Sequence, residues 1–267
     1  MRGVDGVFHA AGWYRVGVRD KTPAQRINVH GTRNVLSMMQ ELQIPRGVYT
    51  STVAVSGDTR GRLVDESYEF RGPWLSEYDR TKWEAHHLVA LPMIRAGLPL
   101  VIVQPGGVYG PGDTSPQGQL LRQYLQRKLA IVPRGAALCW GHVEDTARGH
   151  LLPMERGAVG ERYIIAGPPA AIVEVLALAE RITGISAPRR RVSPGVLRAS
   201  AKLMSVVERI VPLHETMSAE YFRVAAGVTY LGSNAKAQRE FGFQARPIEE
   251  GLRETLEYEL AYSGIAS

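Results

Sequence analysis

Leu98-Pro99-Leu100-Val101-Ile102-Val103-Gln104 is almost unbroken in apolar residues and rich in β-branched ones. A strand with one wet face alternates polar and apolar positions. A continuous apolar run instead fits a strand covered on both faces, as in a parallel sheet flanked by helices. Two more strands are expected upstream, Gly3 to Ala11 and Gly47 to Thr52. Between them, Ile27, Val35, Leu36, Met39 and Leu42 recur at helical spacing within Thr22 to Leu42. Glu77 to about Ala96 reads as a second helix, with Leu88, Val89, Leu91 and Ile94 on its apolar side. Strand, helix, strand, helix, strand is a βαβ series, so the predicted class is α/β with a doubly wound parallel sheet.

Beyond Asp113 the rhythm becomes mainly helical. Helices are expected at Gln117 to Arg127, Val143 to Arg156, Ala171 to Gly184, Pro194 to Val211, Ser233 to Phe243 and Ile248 to Leu260. Short strands are expected at Ala130 to Val132 and Arg162 to Ala166. The Pro194 to Val211 segment carries Val196, Leu197, Leu203, Met204, Val207, Ile210 and Val211 on one side; packing between two lobes is its expected role, with membrane attachment as the alternative.

The totals exclude several classes. At 267 residues the chain is long enough for a substantial core. One cysteine, Cys139, leaves no internal disulfide and no cysteine-only metal site, which fits a reducing compartment and a cytoplasmic location. No apolar run approaches the roughly 20 residues of a bilayer span, and no membrane partner is expected. The net charge of +6 is modest. Its one compact basic run, Arg189-Arg190-Arg191, lacks interleaved aromatics and reads as a solvated face, with no nucleic-acid partner. No metal site is expected.

Ser76-Glu77-Tyr78-Asp79-Arg80-Thr81-Lys82 carries the chemistry. Tyr78 and Lys82 are four apart, so on a helix they share a face. A phenol with a pKa near ~10 transfers protons poorly at neutral pH, and an ammonium beside it is expected to lower that value. The same lysine keeps N–H donors for a ribose hydroxyl.

Other motifs stand in a fixed order around this pair. They are Asp5-x-Val7-x-His9-Ala10-Ala11, Asn28 to Leu36, Thr50-Ser51-Thr52 to Gly57, Pro105-Gly106-Gly107-Val108-Tyr109-Gly110-Pro111-Gly112, and His142-Val143-Glu144-Asp145-Thr146-Ala147. The set resembles the extended short-chain dehydrogenase/reductase family, the NAD-dependent epimerase/dehydratases, and within it the dihydroflavonol-reductase-like branch. The late Ala226 to Leu231, Lys236-Ala237 and Glu240-Phe241-Gly242 are similar to that branch.

The resemblance implies a partial Rossmann-like domain, residues 1–111 and 141–167, and a smaller helical substrate lobe, residues 112–140 and 168–267. It implies that Tyr78 is the general acid/base, supported by Lys82, with Thr52 on the reacting oxygen and Asn28 in the proton relay. It places NAD or NADP against Ala10, Ala11, Thr50, Ser51, Tyr78, Lys82, Pro105, Gly106, Gly107 and Val108. For Thr52, a turn hydroxyl remains an alternative, and for Asn28 a helix-surface position. Trp13 and Tyr14 are candidates for a ring-bearing substrate or for lobe packing. His142 is a candidate pocket residue or a structural histidine.

The expected reaction is carbonyl/alcohol interconversion on a small carbonyl, alcohol or sugar substrate. Alternatives are a sugar-nucleotide epimerase and a non-catalytic dinucleotide sensor. A dehydratase is disfavoured because Val53-Ala54 stand where that variant carries Asp-Glu. The family's Gly-rich strand–turn–helix for the pyrophosphate is not found here. The chain therefore reads as opening at the fourth strand, with Met1 a mis-assigned start or a truncation, weakened pyrophosphate binding and an exposed first-strand edge. A homodimer is a family expectation.

Overall fold

In the computed structural model, residues 1–129 and 131–262 are described. The main sheet contains β1 (Val7–His9), β2 (Gly47–Thr50) and β3 (Leu100–Pro105). A second sheet uses β4 (Gly107–Tyr109), and a two-stranded piece uses β5 (Val132–Pro133). They are followed by β6 (Ala137–His142), β7 (Arg162–Ile165), β8 (Pro169–Ala171), β9 (Arg191–Val192) and β10 (Thr229–Tyr230). The main sheet is parallel, in the order β1-β2-β3-β7, with His9 opposite Tyr49, Thr50 opposite Val103 and Pro105 opposite Ile165. The second sheet runs β10-β6-β4, with β8 antiparallel on β6, and β5 pairs with β9.

All six residues of β3 are buried, as their unbroken apolar run requires. One face of the sheet packs Tyr49, Leu100 and Ile102 against Leu36, Met39, Ala85 and Val89 of the two upstream helices. The other packs Val48, Val101 and Val103 against Phe241 and Phe243. A separate core joins Tyr109, Leu121, Tyr124 and Trp140 to Val175, Leu176, Leu252 and Leu256. Among the described residues β1 pairs only with β2, and Phe8 on it is 46% exposed.

Several expectations shift. The first strand is three residues long, because only Val7–His9 finds a partner along β2. Part of the expected strand at Ala130 to Val132 lies outside the described residues, and β5 begins at Val132. The expected helix from Pro194 ends at Val207. Its inward seam is Leu197 and Ala201, one turn apart, while Val196, Leu203, Ile210 and Val211 face outward. The seven apolar residues read as one stripe therefore do not share one buried face, and four of them are exposed.

Gly106, just after β3, answers to backbone crowding. A Cβ on Gly106 would lie 2.4 Å from the Cys139 carbonyl oxygen on β6. The Gly106→Ala variant is expected to lose about 1–3 kcal/mol and several degrees of Tm by scanning calorimetry; an unchanged Tm would show that β6 yields at this crossing.

Candidate active site

The site lies beyond the carboxyl ends of β1, β2 and β3, where ligands of open parallel sheets bind. Ala10, Ala11 and Gly12 leave β1 as an exposed small-residue rim. Thr52 leaves β2 in extended backbone and caps the short turn Val53–Ser56, its Oγ1 accepting the Ala54 N–H at 3.2 Å. The same hydroxyl lies close enough to the Tyr78 phenol to lower its pKa. A hydroxyl donates once and accepts twice, so the turn role and the phenol role coexist.

The helix that carries Tyr78 and Lys82 opens at Ser76, whose Oγ accepts the Asp79 N–H at 3.0 Å. It runs as Glu77–Glu84, a π-helical segment Ala85–Ala90 and Leu91–Arg95. Tyr78 is half-buried in its first turn. Lys82, one turn on, is 5% exposed and donates from Nζ to the Thr50 carbonyl at 2.7 Å. Beneath it lies the Tyr49 ring, its centroid 5.2 Å from Nζ, with the His9 ring stacked on Tyr49 at 5.5 Å. Among the described residues no carboxylate lies within 4 Å of this ammonium. Burial lowers its pKa from 10.5 to about 8.

The phenol does not follow the expected direction. Burial pushes Tyr78 up to about 12; the Thr52 hydroxyl pulls it down, and the Asp79 charge pushes it further up. The physical reason is that Lys82 directs its N–H to a backbone carbonyl while the phenol is desolvated.

Asn28 is 1% exposed, within the π-helical segment Gln25–Gly31. Its Oδ1 accepts the Trp13 N–H at 2.7 Å, and its Nδ2 donates to the Trp13 carbonyl and to Thr81 Oγ1, both at 2.9 Å. Both N–H donors are engaged, so Asn28 ties the loop after β1 to the helix of Tyr78 and Lys82.

The hydroxyl of Thr50 pairs with His150 Nε2 at 2.9 Å and that of Ser51 with His86 Nδ1 at 2.7 Å. These two residues support the site from below, with both side chains already partnered. Pro105 is buried at the end of β3, and Gly106, Gly107 and Val108 are half-buried after it. Trp13 is buried, whereas Tyr14 is 50% exposed.

His142 stands apart from Tyr78. It is edge-on to Tyr109 at 5.6 Å, with Nε2 3.6 Å from Glu254. His142, Glu144 and Glu254 converge within 4.8 Å, a spacing that suits a cation. A guanidinium already fills that role. Arg246 reaches Glu144 at 2.7 Å, Glu254 at 2.9 Å and Asp145 at 3.1 Å, pinning helix Val143–Arg156 to helix Ile248–Tyr262.

One group escaped sequence reasoning. Asp79, beside Tyr78, is 3% exposed and accepts the Tyr230 hydroxyl at 3.0 Å. Burial raises its pKa to about 6, against the Tyr230 and Ser76 hydrogen bonds and with the Glu220 charge. Glu220, also buried, accepts the Glu77 N–H at 2.9 Å and pairs with Lys21 at 2.5 Å. Arg223 Nε donates to the Leu75 carbonyl at 3.3 Å. Residues 220–230 thus hold the first turn of the helix of Tyr78 and Lys82, and Glu220 adds negative charge where a helix N-terminus favours it. The visible signal was an acid directly after the tyrosine.

Residues 1–166 match the NAD dependent epimerase/dehydratase family, well over half of the chain. The chain belongs to that family. A putative dihydroflavonol 4-reductase from Synechocystis sp. is 33% identical over 272 residues, covering 97% of this chain and 77% of the relative. The crystal structure of gox2253 superposes with a TM-score of 0.84 at 26% identity, covering 100% of this chain and 81% of that one. A UDP-glucuronic acid 4-epimerase from Bacillus cereus, in complex with NAD, shares the fold at a TM-score of 0.74 and 21% identity, covering 99% and 76%. The α/β fold, the NAD(P) cofactor class and the oxidoreductase-or-epimerase enzyme class expected from sequence are those of this family. Among the described residues no helix is long and apolar enough to cross a membrane.

Because folding lowers the Lys82 pKa, the native chain gives up this proton before the unfolded chain does. The cost of the buried ammonium is complete below pH 8, roughly 3 kcal/mol, and fades as pH rises towards 10.5. Lys82→Met is therefore expected to hold or raise Tm at pH 7, and to flatten the gain in stability between pH 8 and 10.5. Thermal melts across that range test this; a clear fall in Tm at pH 7 would assign Lys82 a net structural role.

Proposed function

We propose that this chain interconverts a carbonyl and an alcohol with NAD or NADP. The observation that carries the reading is the meeting of Thr52 and Tyr78 at the strand ends, with Lys82 one turn away. Thr52 and Tyr78 hold the substrate oxygen. Tyr78, kept protonated by burial, delivers its proton as negative charge develops there, which favours the reductive direction. Lys82 stabilises the phenolate left behind.

The residues fit a nicotinamide riboside. Lys82 has one backbone acceptor, which leaves two N–H donors for ribose hydroxyls. Ala10, Ala11 and Gly12 form an open rim, and a Cβ on Gly12 would stand 3.8 Å from Lys82 Nζ. Bound there, the cofactor supplies or takes up the hydride. Pro105 to Val108 flank it, residues 1–111 and 141–167 carry it, and residues 112–140 and 168–267 shape the substrate pocket. Asn28 keeps the rim and the catalytic helix in register, and Tyr14 faces the substrate. The substrate is a small-molecule carbonyl, alcohol or sugar, and a homodimer is the proposed assembly.

Tyr78→Phe is expected to cut turnover at least 100-fold while fluorescence titration with NADH and NADPH shows unchanged binding. Full turnover in the variant would sink the assignment. In the unmutated chain, stereochemical inversion of the substrate without net cofactor oxidation, lost in Tyr78→Phe, would assign the same three residues to an epimerase. In the reductive direction the rate should be level below about pH 8 and fall above it as Lys82 loses its proton; a pH–rate profile checks this.

A further inference from the structure

Helix Pro194–Val207 presents an apolar face that none of the described residues covers. Val196, Leu203 and Val206 are 56%, 60% and 55% exposed, at positions i, i+7 and i+10, which fall on one side of a helix. Ile210 and Val211, in the turn that follows, are 81% and 49% exposed. Leu197 and Ala201 anchor the opposite side.

This face has a basic border. Arg198 and Lys202 are one turn apart and exposed, Arg209 follows, and Arg189, Arg190 and Arg191 stand exposed just before the helix. Between Pro188 and Pro212 there are six Lys or Arg residues and one acid, Glu208. The Glu208 carboxylate accepts the Ala219 N–H at 2.7 Å. Among the described residues none of the six cations has a carboxylate within 4 Å.

We propose that this helix and its basic border seat the protein on an anionic phospholipid surface. An apolar stripe edged by unpaired cations suits the boundary between acyl chains and anionic headgroups. Long basic side chains can lie along the apolar boundary while their charged ends reach the phosphates. A second copy of the chain answers only half of the pattern, because two such faces would bring unpaired cations against each other. A nucleic acid would meet the cations and leave the apolar stripe in water. The helix packs on Ala219–Ala225, whose Glu220 accepts the Glu77 N–H.

The test is co-sedimentation of the 267-residue chain with vesicles of phosphatidylcholine alone and of phosphatidylcholine mixed with phosphatidylglycerol. Pelleting without lipid is subtracted. Binding is expected only to the mixed vesicles and should weaken with added salt. Leu203→Glu with Ile210→Glu changes exposed positions and should preserve the circular dichroism spectrum; it is expected to weaken binding about tenfold or more. Replacing Arg189, Arg190 and Arg191 with Ser should do the same. A chain left in the supernatant with both vesicles overturns the proposal, as does binding that neither variant alters. Sedimentation velocity adds a further arm: self-association abolished by Leu203→Glu, without vesicle binding, would assign the face to a second copy and also overturn it.

Discussion

The molecule is arranged around one buried ammonium. Lys82 is desolvated, lacks a carboxylate partner within salt-bridge distance among the described residues, and rests on the Thr50 carbonyl at the end of β2. A charge in that position is tolerated because its surroundings are fixed in advance. The Tyr49 ring lies beneath it, the parallel sheet aims a backbone carbonyl at it, and the helix carrying it is capped by Ser76. Moving β2 by one residue would point the wrong group at Nζ. The parallel register, the helix cap and the proton chemistry are thus parts of one constraint.

The sheet was legible because burial on both faces writes itself into composition. Leu100 to Val103 admits little besides a central parallel strand, and the structure places it there. The Tyr78–Lys82 spacing and the order of the surrounding motifs were equally readable, since each lies within a single element. What escaped the sequence depends on distant segments meeting. The two-faced nature of helix Pro194–Val207 is set by what packs on Leu197 and Ala201. The direction of the Tyr78 shift is set by burial and by Asp79, neither of which a four-residue spacing encodes. Strand β6 was missed because Ala137-Leu138-Cys139-Trp140 is short and lies beside glycines, while its pairing with β4, β8 and β10 is non-local.

Asn28 and His86 share a further lesson. Both are buried polar residues within π-helical segments of otherwise α-helical runs. Such segments shift the residues that follow around the helix axis and often accompany functional sites. Here one holds the Trp13 backbone and Thr81 with an amide, and the other holds the Ser51 hydroxyl with an imidazole. Neither irregularity has a clear signature in amino-acid propensity, because the tertiary hydrogen bonds stabilise it.

The segment from Glu220 to Tyr230 lies in the proposed substrate lobe and also grips the first turn of the helix that carries Tyr78 and Lys82, through Glu77, Leu75 and Asp79. Under the proposed function, substrate selection and proton donation are therefore mechanically joined. A lineage that remodels this segment to admit a new substrate also resets the electrostatic surroundings of Tyr78. Changes of specificity in such a protein carry a change of acidity with them, and the two traits evolve as one.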